Sequence, residues 1–428
     1  MLNAAEERTG ARLTSEDRDT DEQRAFRLRA REYMAGRLPP RIPGEPANAF
    51  EDLELVAKDK RTQRMLWDGG LAGITVPKEY GGQGLDQRFE DIFFEEAEPY
   101  RLAWHFGNAF NIVLPVLLAH GTEEQKKKYI PSMLNGDVMW CQLLSEPSGG
   151  SDLAGATTRA EKRGDKWALN GSKVWTSGGH CSDMGLCLAR TDPTVRKHAG
   201  LTMFLVNMHA PGMTISPIKL VRGGSDFCQE FLDDVEVPDE DRVGAVNDGW
   251  TVAQAQLNAE RAGMAKGWHA GLRPAAIARH IQLSKRYPDV ARKVGRANDP
   301  LARQLVGEAF VIDTVYNLTG QYIGTGVRNK RLVPTTSMIS SLLVALTDIR
   351  RTKLLSDLAG PYGVVAPQGT EEGPDIGLAR VTTHRIGGGT LEMQRNLVSE
   401  RHLCLPREPG NDRELPFNQL KTNRSKAD

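Results

Sequence analysis

The spacing of apolar residues divides the chain into a helical front, a strand-rich middle and a helical rear. In the front, Phe26, Ala30 and Met34 recur at helical spacing after a charged leader. Thr122 precedes Gln125 by three residues, which is the spacing of a capping box at the start of a helix. The first third of the chain is therefore predicted to be helical.

The texture changes near Asp137. The segments "DVMWCQLL", "KWALNGSKVWT", "MGLCLAR" and "LTMFLV" are short and rich in β-branched and aromatic residues. They are separated by the turn signals Gly164-Asp165 and Asn170-Gly171, and Asn-Gly between apolar runs favours a two-residue hairpin. The middle is predicted to be an antiparallel β-domain.

Helical spacing returns with "DGWTVAQAQLNAERAGMAKG" and continues to about Leu403, and the Pro-rich, charged end is expected to be a loosely held tail. The fold class is accordingly predicted to be α+β. The expected units are a flexible leader (1–22), a helical domain (23–136), a β-domain (137–244), a helical bundle (245–405) and a tail (406–428).

Composition and charge narrow the class of function. The apolar fraction is 39%, and 55 Lys and Arg balance 55 Asp and Glu. A zero net charge gives no reason to expect a nucleic acid or an anionic membrane as partner. No apolar run approaches the roughly 20 residues of a membrane span, and the polar N-terminus does not look like a secretory signal, so we expect a cytoplasmic protein.

The cysteines and histidines predict neither a disulfide framework nor a metal site. The five cysteines are odd in number and never form C-x-x-C, and the nine histidines are scattered. Unpaired thiols in a reducing compartment are the expected state.

Two glycine-rich segments in the β-domain are candidates for ligand binding. "LLSEPSGGSDLAG", residues 143–155, would leave free main-chain N–H groups at a strand exit, although an ordinary surface turn has the same composition. In "NGSKVWTSGG", residues 170–179, Trp175 offers a flat face beside hydroxyl groups, although a tryptophan in a β-core is the commoner arrangement.

Glu260 is the candidate for proton transfer. It shares a helix face with Ala253 and Leu257, and a carboxylate on an apolar face is costly unless it is paired or used. Burial favours the neutral form of a carboxyl group and brings it into the range of a general base. An ordinary ion pair with Arg261 or with a neighbouring helix would explain the same pattern.

In this order and spacing, "SEPSGGSD", "NGSKVWTSGG", "FLDDVEVP" and "GGTLEMQRNLVSERHLCLPRE" resemble the acyl-CoA dehydrogenase family over nearly the whole chain. The resemblance implies an N-terminal helical domain, a central antiparallel β-domain and a C-terminal four-helix bundle, with FAD between the last two. It also implies α,β-desaturation of an acyl-CoA substrate, an electron-transfer flavoprotein as electron acceptor, and a tetramer built as a dimer of dimers.

The resemblance assigns the cofactor and the substrate to particular residues. The expected FAD-binding residues are Gln142, Leu144, Ser145, Gly150, Ser151, Trp175, Ser177 and Thr390. The expected substrate-binding residues are Ser151, Arg261 and Gly387.

The catalytic base is where the sequence departs from many relatives. Medium- and short-chain members carry it in I-Y-E-G-T, whereas this chain reads "IGGGT", with Gly388 at the position of the base. Isovaleryl-CoA and long-chain members place the base in an L-x-x-E-R context on a bundle helix, which Leu257 to Arg261 match. We therefore expect Glu260 to be the base and the Gly388 N–H to stabilise the thioester oxygen. The missing side chains at Gly387 and Gly388 predict a pocket for a bulky, branched or long acyl chain.

Further departures leave the assembly open. The family's R-x-x-F-G has no match, the nearest text being "RKVGR" at 292–296, and its Q-x-x-G-G begins here with Asp357. The pattern resembles bacterial members such as steroid side-chain enzymes, some of which share FAD sites between different subunits. The assembly is thus expected to be a homo- or heterotetramer. A catalytically silent or half-site subunit, or a relative with a different flavin reaction, remains an alternative.

Overall fold

The order of elements follows the order of patterns in the sequence. The computed structural model describes residues 19–41, 50–221, 224–265, 287–333, 336–363, 386–407, 409–410 and 413–420. In these residues, helices precede and follow one strand-rich region, so the predicted α+β class is confirmed.

The front is helical, as the apolar spacing predicts. Phe26, Ala30 and Met34 are buried along one helix, and the Thr122 and Gln125 side chains each accept a hydrogen bond from the other's backbone N–H. The helices are Asp21–Met34 (α1), Leu53–Asp68 (α2), Gln87–Ala97 (α3), Leu114–His120 (α4) and Glu123–Leu134 (α5). A π-helical turn, Ala109–Val113, leads directly into α4.

The middle of the chain forms one sheet. Its strands are Trp140–Leu143 (β1), Arg159–Arg163 (β2), Lys166–Ser177 (β3), Met184–Arg190 (β4), Leu201–Asn207 (β5), Met213–Ile218 (β6), Phe227–Pro238 (β7) and Arg242–Val243 (β8). They lie in the order β6-β7-β3-β2-β4-β5-β8, with β1 beside β4. Most pairs are antiparallel, but β4 runs parallel to β1 and, at one residue pair, to β2, so the sheet is mixed.

Of the two predicted turns, one is a hairpin and the other is not. Gly164-Asp165 joins β2 to β3, with Gly164 at a φ of 64°. Asn170-Gly171 instead lies inside β3 at a bulge opposite β7. The Asn170 amide bonds across the sheet to Asp234, and a Cβ on Gly171 would lie 2.7 Å from the Thr158 Cα. The glycine therefore permits a close approach of two backbones, and the hairpin prediction at this position is wrong.

The rear is again helical. Its long helices are Gly249–Ala265 (α6), Pro300–Arg328 (α7) and Ser337–Ala359 (α8), followed by the short Leu391–Leu397 (α9). A helical segment at residues 287–293 packs with α7 and α8 through a buried cluster that includes Tyr287, Ala309 and Leu354.

One apolar core joins the three parts. It includes Val113 of the π-helical turn, Trp140 of β1, Leu205 of β5 and Ala253 of α6, all nearly or fully buried. Helix α6 is thereby packed against the sheet and the front helices at once.

Part of the tail is held, against expectation. The backbone N–H of Phe417 donates to Val195, and its ring centroid lies 3.8 Å from the Arg190 guanidinium carbon. Arg196 also forms an ion pair with Glu414. A cation–π contact between a buried arginine and an aromatic ring stabilises this docking, which no local sequence signal indicated.

Candidate functional site

Strand β1 ends in the first glycine-rich segment. The Ser145 carbonyl accepts a hydrogen bond from the Val174 N–H at 2.9 Å, which fastens the segment to β3. A tight turn follows, because Gly149 N–H donates to the Glu146 carbonyl. Gly150 and Ser151 are exposed beyond this turn, and Gly150 lies over the Ser145 hydroxyl. The exposed loop is held close to the second glycine-rich segment.

A buried ion pair lies beneath this loop. Lys173 of β3 is fully buried, and its Nζ donates to a Glu146 carboxylate oxygen at 3.0 Å. The same Nζ donates to the Leu144 carbonyl at 3.1 Å and the Leu188 carbonyl at 2.7 Å. One ammonium group therefore joins the end of β1, the loop and β4.

Glu146 is satisfied on both carboxylate oxygens. Thr157 donates to one oxygen through its N–H and its hydroxyl, and the Thr158 N–H donates to the other. Burial alone would raise the pKa of Glu146, but Lys173 and these hydrogen bonds outweigh it and hold the pKa at about 2. The carboxylate is thus charged at neutral pH and acts as an anchor for residues 157 and 158.

Trp175 combines an exposed ring with a strained backbone. Its φ is 67°, and a bulky residue in the left-handed region is an outlier. The residue lies at a second bulge of β3, between Val174 and Thr176, and is 57% exposed. The exposure excludes the interpretation of Trp175 as an ordinary core tryptophan. Backbone outliers of this kind cost on the order of 1–3 kcal/mol and cluster at ligand sites, so Trp175 stays a candidate for binding.

A second buried carboxyl group lies behind Trp175. Glu230 of β7 is fully buried, and one of its oxygens accepts a hydrogen bond from the Thr176 hydroxyl at 2.6 Å. Burial raises the pKa of Glu230 to about 7, although Thr176 and Lys173 oppose the rise. Its other oxygen has no hydrogen bond within the described part of the chain. Glu146 and Glu230 therefore differ in charge state near neutral pH.

Helix α6, which carries the candidate base, contacts β1 through a pair of amide side chains. Glu260 is half-buried and lies one turn after Gln256, on the same helix face. Gln256 is fully buried, and its Nε2 donates to the Gln142 Oε1 at 2.8 Å. This contact joins α6 to β1 at the strand that leads to Ser145. Arg261 follows in α6, and its side chain is outside the described residues.

The glycine triplet forms a turn before α9. Gly388 and Gly389 have φ values of 71° and 100°, so both adopt backbone conformations that disfavour a side chain. Gly387, Gly388 and Gly389 are exposed. Thr390 is the N-cap of α9, and its hydroxyl accepts a hydrogen bond from the Met393 N–H at 3.2 Å. Gly388 and Gly389 are therefore favoured by the turn itself, whatever space they also leave.

The last arginine of the "RKVGR" segment, Arg296, binds the C-terminal end of helix α8. Arg296 donates to the carbonyls of Asp357 and Leu358, each at 2.9 Å, where α8 ends, and it pairs with Asp299. Asp357 itself is exposed. Arg296 is thus engaged at the end of α8, and the exposed carboxylate of Asp357 beside it would repel a pyrophosphate.

The part of the chain that the structure describes contains neither a metal-binding cluster nor a membrane-spanning helix. In the ranges given above, no cluster of three metal-binding side chains occurs, and no helix has the length and apolarity for a membrane span. The five cysteines are unpaired, as predicted, and burial raises the pKa of the Cys141 thiol well above its usual range.

Sequence reasoning missed Glu146, Lys173, Glu230 and Gln256. A charged residue inside an apolar strand was the available signal for Lys173 and Glu230, because such residues are rarely fully buried without a partner. Glu146 lies in the loop after β1, where the sequence carries no such signal. Gln256 gave a weaker signal, since a glutamine on a helix can lie on either face. The described site therefore consists of an exposed flat ring, a loop whose backbone is held in place, and the Glu260 carboxylate, one helical turn after the Gln256 amide that contacts β1.

Three descriptions of protein domains match the chain in order. They are the N-terminal domain (residues 20–137), the middle domain (141–235) and the C-terminal domain (247–403) of acyl-CoA dehydrogenases. The acyl-CoA dehydrogenase IpdE1 of Mycobacterium tuberculosis is 32% identical over 406 residues, covering 90% of this chain and 98% of that protein.

Solved structures are similar over the same extent. The structure titled "Tcur3481-Tcur3483 steroid ACAD" has a TM-score of 0.72 and 29% identity, covering 91% of this chain and 99% of the other. The ChsE4-ChsE5 complex of Mycobacterium tuberculosis has a TM-score of 0.69 and 25% identity, covering 93% of this chain and 100% of the other.

Proposed function

Because the chain belongs to the acyl-CoA dehydrogenase family, we propose that it desaturates a bulky, branched or long acyl-CoA thioester between its α- and β-carbons. The observation that carries the proposal is the position of Glu260 on the α6 face that meets β1 through Gln256 and Gln142. Glu260 removes the α-proton, and the β-carbon loses a hydride, so that the thioester gains a double bond and loses two electrons.

The family generally binds FAD, and the residues between β1 and β3 fit the flavin ring. When bound, FAD supplies the acceptor for the hydride. The exposed Trp175 ring offers a flat apolar surface, and its left-handed backbone fixes the angle of that surface. The loop around Ser145, Gly150 and Ser151 and the half-buried Ser177 at the end of β3 are proposed to provide the polar edge.

The chain's own residues prepare this surface in advance. Lys173 and Glu146 hold the Leu144 carbonyl and the loop in place, so little rearrangement is needed when a ligand binds. Thr390 fixes the first turn of α9, and the Gly388 N–H next to it remains our candidate donor to the thioester oxygen. Arg261 and Gly387 are proposed to contact the substrate.

The assembly is proposed to be a tetramer that contains a second type of subunit. Val311, Val315, Leu318 and Tyr322 form an apolar stripe on α7 and are each more than half exposed. Exposed stripes of this kind mark contacts between proteins. Arg296 is occupied at the end of α8, so we propose that a partner provides the cation for the pyrophosphate of FAD. The two similar structures named above carry two proteins each in their titles.

An electron-transfer flavoprotein is the proposed acceptor of the electrons, in keeping with the family resemblance. We also propose that the enzyme is cytoplasmic, because all five cysteines are unpaired, as is usual in a reducing compartment.

The experiment that tests the base is flavin reduction by acyl-CoA. Purified protein is mixed with acyl-CoAs of increasing bulk, and the bleaching of the flavin absorbance is followed in time. Glu260→Gln should slow bleaching by about 10²–10⁴-fold, which is the usual contribution of a general base. Glu392→Gln, which removes an exposed carboxylate near Thr390, is the matched control and should bleach like the parent. Unchanged bleaching in Glu260→Gln would exclude it as the base.

The second candidate function is that of a half-site subunit. Arg296 and the exposed Asp357 favour it, because the arginine is engaged at the end of α8 and the carboxylate would repel a pyrophosphate. The chain purified alone would then lack flavin and would gain it on co-expression with a homologous partner. Flavin retained at one per chain in the isolated protein would exclude this alternative.

A further inference from the structure

Gln256 makes a contact that packing alone does not require. Its side chain is fully buried on α6, where an apolar residue would ordinarily lie. Its Nε2 donates to Gln142, while its own Oε1 has no hydrogen-bond partner within the described residues. A buried amide with one unmet group costs stability, and an apolar side chain of similar shape would avoid that cost.

The contact determines what Gln142 can offer to a ligand. Gln142 is half-buried on β1, and its Oε1 is occupied by Gln256 at 2.8 Å. The remaining polar group of the Gln142 side chain is Nε2, which can only donate. Gln142 lies three residues before Ser145, and Glu260 lies one helical turn after Gln256. The amide pair therefore stands between the proposed cofactor loop and the proposed base.

We propose that Gln256 is a positioning residue: it orients the Gln142 amide so that its Nε2 donates to the flavin ring, and it sets the position of α6 relative to β1. The inference rests on the proposed function, since it needs flavin bound beside β1. It adds a residue on the bundle helix to the binding of the cofactor, and it gives a physical reason for a buried glutamine one turn before the base.

A double-mutant cycle on FAD affinity tests the proposal. Apoprotein of the parent, Gln256→Met, Gln142→Met and the double variant is titrated with FAD, and the dissociation constant is obtained from quenching of flavin fluorescence. Methionine keeps an unbranched side chain of similar length and removes the amide. Gln254→Met, two residues away and pointing to another side of α6, is the matched control. The melting temperature of each apoprotein is measured in parallel.

The expected result is non-additive. Gln256→Met and Gln142→Met should each weaken FAD binding by about tenfold, the effect of one hydrogen bond of about 1.4 kcal/mol. The double variant should also lose about tenfold rather than a hundredfold, because both changes remove the same donor. Gln254→Met should bind FAD like the parent. A purely structural role would lower the melting temperature without producing this pattern.

The remaining outcomes would refute either the positioning role of Gln256 or the proposed function. If Gln256→Met binds FAD within twofold of the parent, or if the losses multiply to a hundredfold, Gln256 does not act through Gln142. If the parent binds FAD neither alone nor after co-expression with a homologous partner, the proposed function fails and the inference fails with it. FAD binding that appears only on co-expression supports the half-site alternative, and the same cycle on the co-expressed complex then decides the role of Gln256. Should Gln256→Met not fold, Gln256→Asn keeps the polarity but is too short to reach Gln142, and the same tenfold loss is expected.

Discussion

Removing the cation of the buried Lys173–Glu146 ion pair should make the β-domain easier to unfold. In Lys173→Met, the Glu146 carboxylate would remain buried without its cation. Breaking a buried pair from one side costs about 3–5 kcal/mol, since the remaining charge cannot be solvated. We therefore expect Lys173→Met to lose several kcal/mol of unfolding free energy at pH 7.

The pKa of Glu146 provides an independent magnitude. It is about 2 in the folded protein, against an ordinary value of 4.5. Since each pKa unit corresponds to about 1.4 kcal/mol, the charged state of Glu146 contributes about 3 kcal/mol at neutral pH. This stability is fully present above pH 4.5 and is lost as the pH falls from 4.5 towards 2. The two magnitudes agree.

The assay is urea unfolding followed by tryptophan fluorescence at pH 7 and at pH 3. The difference between parent and Lys173→Met should shrink at pH 3, because Glu146 of the variant is then neutral while the parent has begun to lose its contribution. Lys173→Met combined with Glu146→Gln should be more stable than Lys173→Met alone at pH 7, because no buried charge remains.

The matched control is a surface ion pair whose lysine lies on β3, the strand that also carries Lys173. Lys166 and Glu236 lie 2.8 Å apart, and both are about half exposed. Lys166→Met should leave the unfolding curve unchanged, since exposed pairs contribute little. The reasoning would be refuted if Lys173→Met unfolded within about 1 kcal/mol of the parent at pH 7, or if its deficit were the same at pH 3.

Three further predictions concern single residues. Glu230→Gln should stabilise the protein by up to about 3 kcal/mol above pH 7 and have little effect near pH 4. The reason is that the pKa of Glu230 is about 7 in the folded protein, so the parent loses stability as the pH rises from 4.5 to 7. Equal pH profiles of the two proteins in urea unfolding would contradict this. Gly171→Ala should destabilise more than Gly164→Ala, since a Cβ at Gly171 meets the backbone of Thr158 while Gly164 has open space around it; equal melting temperatures would show that the bulge can relax. Gly388→Glu should slow flavin bleaching by bulky acyl-CoAs more than bleaching by slim ones. Gly388→Ala should slow bleaching by both kinds by the same, smaller factor, because a side chain at a φ of 71° costs about 1–2 kcal/mol in either variant.

The elements could largely be predicted from local patterns. The helical spacing of Phe26, Ala30 and Met34 predicts α1, and the Thr122–Gln125 capping box predicts the start of α5, because both depend on residues within one or two turns. The Gly164-Asp165 hairpin is also local. The α6 helix and the position of Glu260 on its inner side follow from the same periodicity.

The failures arose where a distant segment decided the conformation. Asn170-Gly171 has the composition of a hairpin turn, yet the Asn170 amide is held by Asp234 across the sheet and Gly171 lies against Thr158. The tail looked unstructured because its docking depends on Arg190, more than 200 residues earlier in the chain. Tertiary contacts of this kind override local preference.

By itself, the sequence determined the order of helices and strands, the family resemblance and the candidate base, because periodicity and short motifs are local properties. The tertiary structure alone decided the surroundings of these residues. Only the packing of β1, β3 and the loop brings Lys173 to Glu146, and only the crossing of α6 over β1 brings Gln256 to Gln142. The two residues of each pair are 27 and 114 positions apart in the sequence. A buried polar group needs a hydrogen-bond partner, but only the folded chain determines which distant group that partner is.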